Sequence, residues 1–339
     1  MRRIICIGDL CADLIVPYGE ARRNISSIRS GELKSQSVEL RSGGTVGNAS
    51  VVLGKLGSEP IFITDLCDDS LGRFLRSEME RHGVDMSYAP VGERGAMVCI
   101  AVLDEQGDRT MFSWLPPGAG YPTFSESSFS EDLFSMDAVL FTGGMTLSND
   151  VPSMDAVYRF ISRMKQETDS VFVFDLNARI ESYGLDETRR HYYDLYIELA
   201  DVVLGSGMEE FGPIAGGSDL RDCALRLSAG WGADRLPSGR RLVIARDGAG
   251  PVLIAGAGSC ADSPDDEAIM TVPVEPVSVI STVGAGDAFD AAFMHAMNRG
   301  LPIQQCVAFA NRIAGHVISH EGQLEVGEEF TSSSAQIQH

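Results

Sequence analysis

Short apolar runs alternate along the chain with longer stretches of helical period. "RIICIG" reads as a buried first strand ending at Gly8, with Asp9 and Asp13 following on a loop or next strand. "SVELRSGGTVGNASVVLGKLG" then carries a glycine turn into a helix rich in small residues. "PIFITDLC" is a second buried strand, and "LGRFLRSEMERHGVD" is an amphipathic helix stopped by Gly83. Between Arg94 and Trp114 two β-rich runs flank "DEQGD", the pattern of an antiparallel hairpin. After the strand "DAVLFTGG" the second half repeats the alternation: a helix around Pro152 to Glu167, the strand "SVFVFDLN", a helix around Asp186 to Leu199, the strand "ADVVLG", a helix from Leu220 and the strand "RLVIARDG". A hairpin-like stretch, "PVLIAGAGSCADSPDDEAIMTVPV", precedes two final helices.

This order predicts an α/β fold, a three-layer α/β/α sandwich with a mainly parallel central sheet. The extended stretches near 14–42 and 95–115 predict a small β-sheet lid outside it. No linker or composition shift divides the halves, so residues 1–330 read as one domain and 331–339 as a frayed tail.

Composition narrows the function. The chain has 339 residues, 44% hydrophobic and 22% charged, and a formal net charge of −21. That charge disfavours nucleic acid and anionic membranes as partners. The apolar start is interrupted by Gly8, Asp9 and Asp13, and about 18 apolar residues never run together. A cytoplasmic location is the expectation. Seven cysteines without C-x-x-C spacing predict packed, reduced thiols.

Candidate chemistry concentrates in "STVGAGDAFDAAF", residues 281–293. The helical period begins near Asp287, so Gly284, Ala285 and Gly286 fall at the turn into the helix, where backbone N–H groups lack intrahelical acceptors. With the helix dipole these amides form an anion hole, and Asp287 beside it is placed to accept a proton. The chemistry suggested is phosphoryl transfer to a hydroxyl. On this segment alone a rival reading stands: Gly-Ala-Gly packs helix on strand, and Asp287 caps the helix.

The stretch resembles the D-T-x-G-A-G-D motif of ribokinase-like (PfkB) carbohydrate kinases. "GGTVGNASVVLGKLG" resembles that family's N-terminal motif, G-G-x-x-x-N-x-A-x-x-L-x-x-L-G, and "GDLCADLIV" resembles its opening strand and substrate-binding aspartate. "DLNAR", "ADVVLGSGMEEF" and "RDGAG" follow in the family's order, so the resemblance covers residues 3 to 322. It implies an ATP-dependent kinase acting on a primary hydroxyl of a small sugar or sugar acid, as in fructokinases, ribokinases and 2-keto-3-deoxygluconate kinases. Asp287 corresponds to the base, and Gly284, Ala285 and Gly286 to the anion hole under the transferring phosphate. Asp13, Gly43, Gly44 and Asn48 correspond to the set that grips sugar hydroxyls. Arg179 corresponds to a substrate-binding position, with a structural salt bridge as its rival. Ser206, Arg246, Gly248, Gly250 and Asn311 fall at nucleotide positions. Glu209 takes the acidic place that organises Mg2+ through water, with Glu210 one residue away.

Departures from the family pattern are specific. Ser206 stands where asparagine is usual, Asp247 replaces a glycine of the nucleotide loop, and Ser281 replaces the aspartate that helps bind a monovalent cation, which leaves K+ activation open. The resemblance also implies a homodimer through lid sheets, with a monomer as the alternative. A nucleoside kinase and a non-catalytic sugar-binding regulator are the rival functions; the former needs a base-stacking aromatic, for which Phe112 and Trp114 are candidates. P-loop and G-x-G-x-x-G nucleotide motifs are absent. His316 and His320, spaced i, i+4, read as a packed or solvated pair.

Overall fold

Each central strand is buried on both faces because helices cover both sides of the sheet. The computed structural model describes residues 1–17, 38–93, 95–103, 109–115, 122–229, 241–256, 269–320, 324–327 and 330. The tail 331–339, Cys260 and the stretch 18–37 of the expected lid lie outside them.

In chain order the elements are β1 (Arg3–Ile7), β2 (Cys11–Pro17), β3 (Glu39–Gly43), α1 (Thr45–Lys55), β4 (Ile61–Ile63), β5 (Leu66–Cys67), α2 (Ser70–Arg81), β6 (Val91–Gly92), β7 (Met97–Leu103) and β8 (Arg109–Trp114). The second half contributes β9 (Ala138–Gly143), α3 (Val151–Glu167), β10 (Val171–Asp175), α4 (Ile180–Tyr183), α5 (Glu187–Leu199), β11 (Val202–Ser206), α6 (Gly207–Ala215), α7 (Leu220–Ala229), β12 (Leu242–Arg246), β13 (Val252–Ala255), β14 (Ile269–Val272), α8 (Ala285–Asn298) and α9 (Ile303–Ser319).

The main sheet runs β14-β13-β12-β11-β10-β9-β1-β4, parallel except for the antiparallel edge β13 and β14. Alternate residues of β1 enter different cores. Ile4 and Cys6 pack with α1, α2, α8 and α9; Ile5 and Ile7 pack with α3, α5, α6 and α7. Helix starts follow local chemistry: Asp69, Asp150 and Asp186 accept from the Gly72, Ser153 and Arg189 amides at the first turns of α2, α3 and α5. The expected strand "PIFITDLC" divides. Ile61–Ile63 joins the main sheet, whereas Leu66–Cys67 pairs with β6 in a separate ribbon.

The lid is a second sheet, β3-β2-β7-β8. Its inner pair β2 and β7 is parallel, and β7 with β8 forms the expected antiparallel pair. The strand sequence β1 then β4 runs to one side of the main sheet, and β9 continues on the other side of β1. Ligands of open α/β sheets bind at such a reversal, beyond the strands' carboxyl ends. Gly8–Leu10, Gly143–Gly144 and Leu176–Arg179 all emerge there.

Candidate active site

Two helix N-termini meet at this edge and are treated differently. The first turn of α1 is filled from within: Asp9, following β1, accepts from the Thr45 amide at 2.7 Å and the Val46 amide at 3.2 Å. Burial pushes Asp9 above the ordinary carboxylate range, against the pull of those two amides. The N-terminus of α8 has no side-chain cap among the described residues. Gly284 takes φ 75°, ψ 3° as its N-cap, a left-handed conformation that glycine adopts without a Cβ penalty. The Ala285 amide turns back toward the Thr282 carbonyl at 3.5 Å, too long for a strong bond. The small residues thus leave the positive end of a 14-residue helix open toward the cleft.

Asp287 stands on the first turn of α8. Asn48, on α1, donates to its Oδ2 at 2.7 Å, joining residues 239 apart in sequence. Burial pushes the Asp287 carboxyl up to about 7; the Asn48 amide opposes this, Asp9 and Asp175 add to it, and Arg179 opposes it. A carboxylate poised near neutrality suits a general base.

The lid supplies the opposite wall. Asp13 on β2 pairs in register with Arg41 and Cys99. A Cβ on Gly43 would lie 2.2 Å from Asp13 Oδ2, so bare backbone is required for the carboxylate to sit there. Gly44 has φ 95°, and a Cβ on it would meet the Asp9 carbonyl at 2.6 Å. The sequence-predicted group Asp13, Gly43, Gly44 and Asn48 therefore converges at the β2–β3–α1 junction.

Beyond β10 the chain makes an unusual turn. Asn177 (φ 28°) and Arg179 (φ 44°) both lie at positive φ, a conformation that costs non-glycine residues about 1–3 kcal/mol and clusters at functional sites. A relay holds it: Arg179 Nε donates to Asn177 Oδ1 at 2.8 Å, and Asn177 Nδ2 donates to Thr45 Oγ1 at 2.8 Å. Among the described residues Arg179 pairs with this amide and forms no salt bridge to a carboxylate.

Arg246 requires a correction. The sequence places it among nucleotide contacts, but its guanidinium is directed inward, to Asp290 Oδ1 at 2.6 Å, Asp175 Oδ1 at 3.2 Å and the carbonyls of Gly286 at 2.9 Å and Gly205 at 3.2 Å. Burial opposes its charge, but Asp290 and Asp175 more than compensate and hold its pKa above the ordinary arginine value. Burial, with Asp175 adding, pushes Asp290 well above the carboxylate range against Arg246's pull. The cluster braces the underside of the α8 N-terminus. After it, Gly248 sits at φ 54° and the Gly250 amide closes a turn onto the Asp247 carbonyl at 2.8 Å, with Asp247 exposed.

The two adjacent acids are oriented differently. Glu209 is exposed, whereas Glu210 folds back so that Oε2 accepts from the Ser206 amide at 2.8 Å. Burial and the neighbouring Asp175 push Glu210 up to about 7. Ser206 thus contributes its backbone here and caps α6 with no side-chain bond among the described residues. Asn311 on α9 donates to the Pro273 carbonyl at 3.2 Å. Ser281, three residues before the Gly284 N-cap, is exposed; its amide bonds to the Ile318 carbonyl, and its hydroxyl accepts from the Val283 amide at 3.3 Å. The rings of His316 and His320 stack at 3.8 Å, a packed pair.

Thr45, Asp290 and the inward turn of Glu210 are features of the site that the motif pattern does not single out. Asp290 carried a signal, three residues after Asp287 and hence near it on the same helix side. Thr45 carried none, since its partner is 132 residues away.

The model of the pfkB family of carbohydrate kinases matches residues 1–328. The chain is 24% identical over 317 residues to 5-dehydro-2-deoxygluconokinase of Geobacillus kaustophilus (strain HTA426), covering 93% of this chain and 87% of that one. Its fold is similar to adenosine kinase from Schistosoma mansoni (TM-score 0.77, 17% identity, 97% and 98% of the two chains covered). It is also similar to fructokinase with bound ATP from Xylella fastidiosa (TM-score 0.72, 21% identity, 95% and 94% covered). A family match over nearly the whole chain, on a fold that brings its spaced motifs to one sheet edge, makes this chain a member of the pfkB family of carbohydrate kinases.

Proposed function

We propose that the protein transfers the γ-phosphoryl group of ATP to a primary hydroxyl of a small sugar or sugar acid. The observation that carries this is the 2.7 Å bond from Asn48 to Asp287, which ties the acceptor-side motif to the open N-terminus of α8. Asp287 removes the hydroxyl proton as the oxygen bonds to phosphorus and the bond to the ADP oxygen breaks. The amides around Gly284, Ala285 and Gly286 stabilise the charge on the transferring group. Asp13, the Gly43–Gly44 backbone and Asn48 hold the acceptor's hydroxyls. Arg179, on its constrained turn, suits a carboxylate or phosphate through its remaining guanidinium nitrogens. The relatives named 5-dehydro-2-deoxygluconokinase support a sugar acid within that class.

Family kinases use ATP with a divalent metal, and the donor set here fits: Glu210, with Glu209 beside it, offers the oxygen ligands that Mg2+ prefers. Bound Mg2+ neutralises phosphate charge during transfer. Gly248, Gly250, Ser206 and Asn311 are proposed to line the nucleotide side. K+ dependence is proposed to be weak, because Ser281 brings no carboxylate to that loop.

The nucleoside alternative loses support from lid geometry. Ser113 is in register with Cys99, hence with Asp13, so the flanking Phe112 and Trp114 belong to the other face of the sheet. That other face also carries Leu40 in register with Leu14, Ile100 and Phe112. Leu40, Phe112 and Trp114 are exposed. This apolar face supports a homodimer through lid sheets. Sedimentation of wild type and Trp114→Glu tests it; a monomeric wild type at high concentration refutes it.

The activity test is ADP release with Mg-ATP across ketohexoses, pentoses, 2-keto-3-deoxy acids, 5-dehydro-2-deoxygluconate and nucleosides, with and without K+. Turnover is expected with a sugar or sugar acid. Turnover with nucleosides alone, or with none, refutes the proposed acceptor.

A further inference from the structure

Register in the lid gathers three side chains of metal-binding type. Cys11 lies opposite Met97 and Asp13 opposite Cys99 in the parallel β2–β7 pair, so Cys11, Asp13 and Cys99 share one face. Their ligand atoms all lie within 4.8 Å of one another, and the Cys11 thiol already donates to Asp13 Oδ1 at 3.1 Å. Both cysteines are buried and Asp13 is half-buried, so solvent reaches the group from the carboxylate side. Ser113 Oγ, 3.4 Å from Cys99 Sγ, completes the neighbourhood.

Two sulfurs and one oxygen are the donors of a thiophilic cation rather than of Mg2+. With Zn–S near ~2.3 Å and Zn–O near ~2.1 Å, a tetrahedral ion needs ligand atoms roughly 3.5–3.8 Å apart. The observed group reaches that spacing by moving less than a bond length. Three protein ligands also leave a fourth position open, as in sites that exchange water for another ligand. The other cysteines of the described residues form no such group.

We propose that Cys11, Asp13 and Cys99 form an inhibitory site for a thiophilic divalent cation of the Zn2+ or Cd2+ class, whose binding takes the Asp13 carboxylate away from the acceptor. Binding displaces the two thiol protons to solvent. The inhibitory consequence rests on the reading of Asp13 as an acceptor-binding residue; the site itself rests only on the three side chains.

The test is a Cd2+ titration of the full-length protein, followed by the ultraviolet thiolate-to-cadmium charge-transfer band, for wild type, Cys11→Ser and Cys99→Ser. Both serine variants are near-isosteric, and melting curves confirm folding. One equivalent of Cd2+ is expected to develop the band, and each substitution to weaken binding by at least the ~10–100-fold that outer-shell partners alone command. With Mg-ATP and the sugar that turns over, Cd2+ is expected to raise KM for the sugar at unchanged kcat in wild type and to have little effect in Cys99→Ser. A missing band, or one that survives both substitutions, overturns the site. A cysteine-dependent band with an unchanged KM leaves a thiolate metal site standing and overturns its inhibitory role through Asp13.

Discussion

Arg246→Met removes the cation that braces the underside of α8. Asp290 is fully buried and Asp175 is 3% exposed, and both lose their guanidinium partner while the Gly286 carbonyl loses a donor. Breaking a buried pair from one side costs about 3–5 kcal/mol, because the remaining charge is uncompensated. Unfolding entropy near 2.1 cal/mol/K per residue gives about 0.7 kcal/mol/K for a chain of this length, so Tm should fall by ~4–7 °C. Scanning calorimetry at pH 8 reads the shift. The penalty should shrink on acidification, since Asp290, without the guanidinium that pulls its pKa down, takes up a proton at higher pH than in wild type. Replacing Asp290 by Asn in the same chain should recover part of the loss. The kcat should fall as well, because the first turn of α8 loses its anchor beneath Gly286. A Tm within about 1 °C of wild type, with unchanged kcat, would refute the bracing role.

Three further outcomes follow from the site. Asp287 acts unprotonated and its pKa is pushed up to about 7, so kcat/KM should fall tenfold per pH unit below that value and level off above it; a profile flat through neutrality contradicts its role as base. Gly43→Ala places a Cβ 2.2 Å from Asp13 Oδ2 and should raise KM for the acceptor at least about tenfold with a smaller change in kcat; steady-state kinetics at saturating ATP reads the split. Glu210→Gln should raise the Mg2+ concentration needed for half-maximal rate, whereas exposed Glu209→Gln should leave it nearly unchanged; the reverse order restores Glu209 to the metal position.

Much of the fold was legible because period and burial coincide. The apolar runs of β1, β9, β10, β11 and β12 lie between helices on both faces, and the alternation of strand and helix leaves few other architectures. The joint motif pattern located Asp287, Asn48, Asp13 and the glycines, which the fold then brings to one edge. Contacts decided by tertiary direction were not legible. "ARDGAG" reads as a nucleotide loop, but no local pattern tells that Arg246 turns toward Asp290, 44 residues ahead. The adjacent acids Glu209 and Glu210 differ only in which helix side faces β11, and that depends on where α6 begins. Cys11 and Cys99 are 88 positions apart, and their proximity is a property of strand register.

In the proposed transfer Asp287 accepts the acceptor's proton beside an anion-binding helix terminus. This role is tested most directly by Asp287→Asn, measured for turnover by ADP release and for sugar binding by calorimetry on the same preparation. The substitution keeps size and can retain an Asn48 contact while removing the base. Turnover should fall by at least the ~10²–10⁴-fold that general-base catalysis contributes, with sugar affinity nearly unchanged. Turnover within tenfold of wild type would contradict the account.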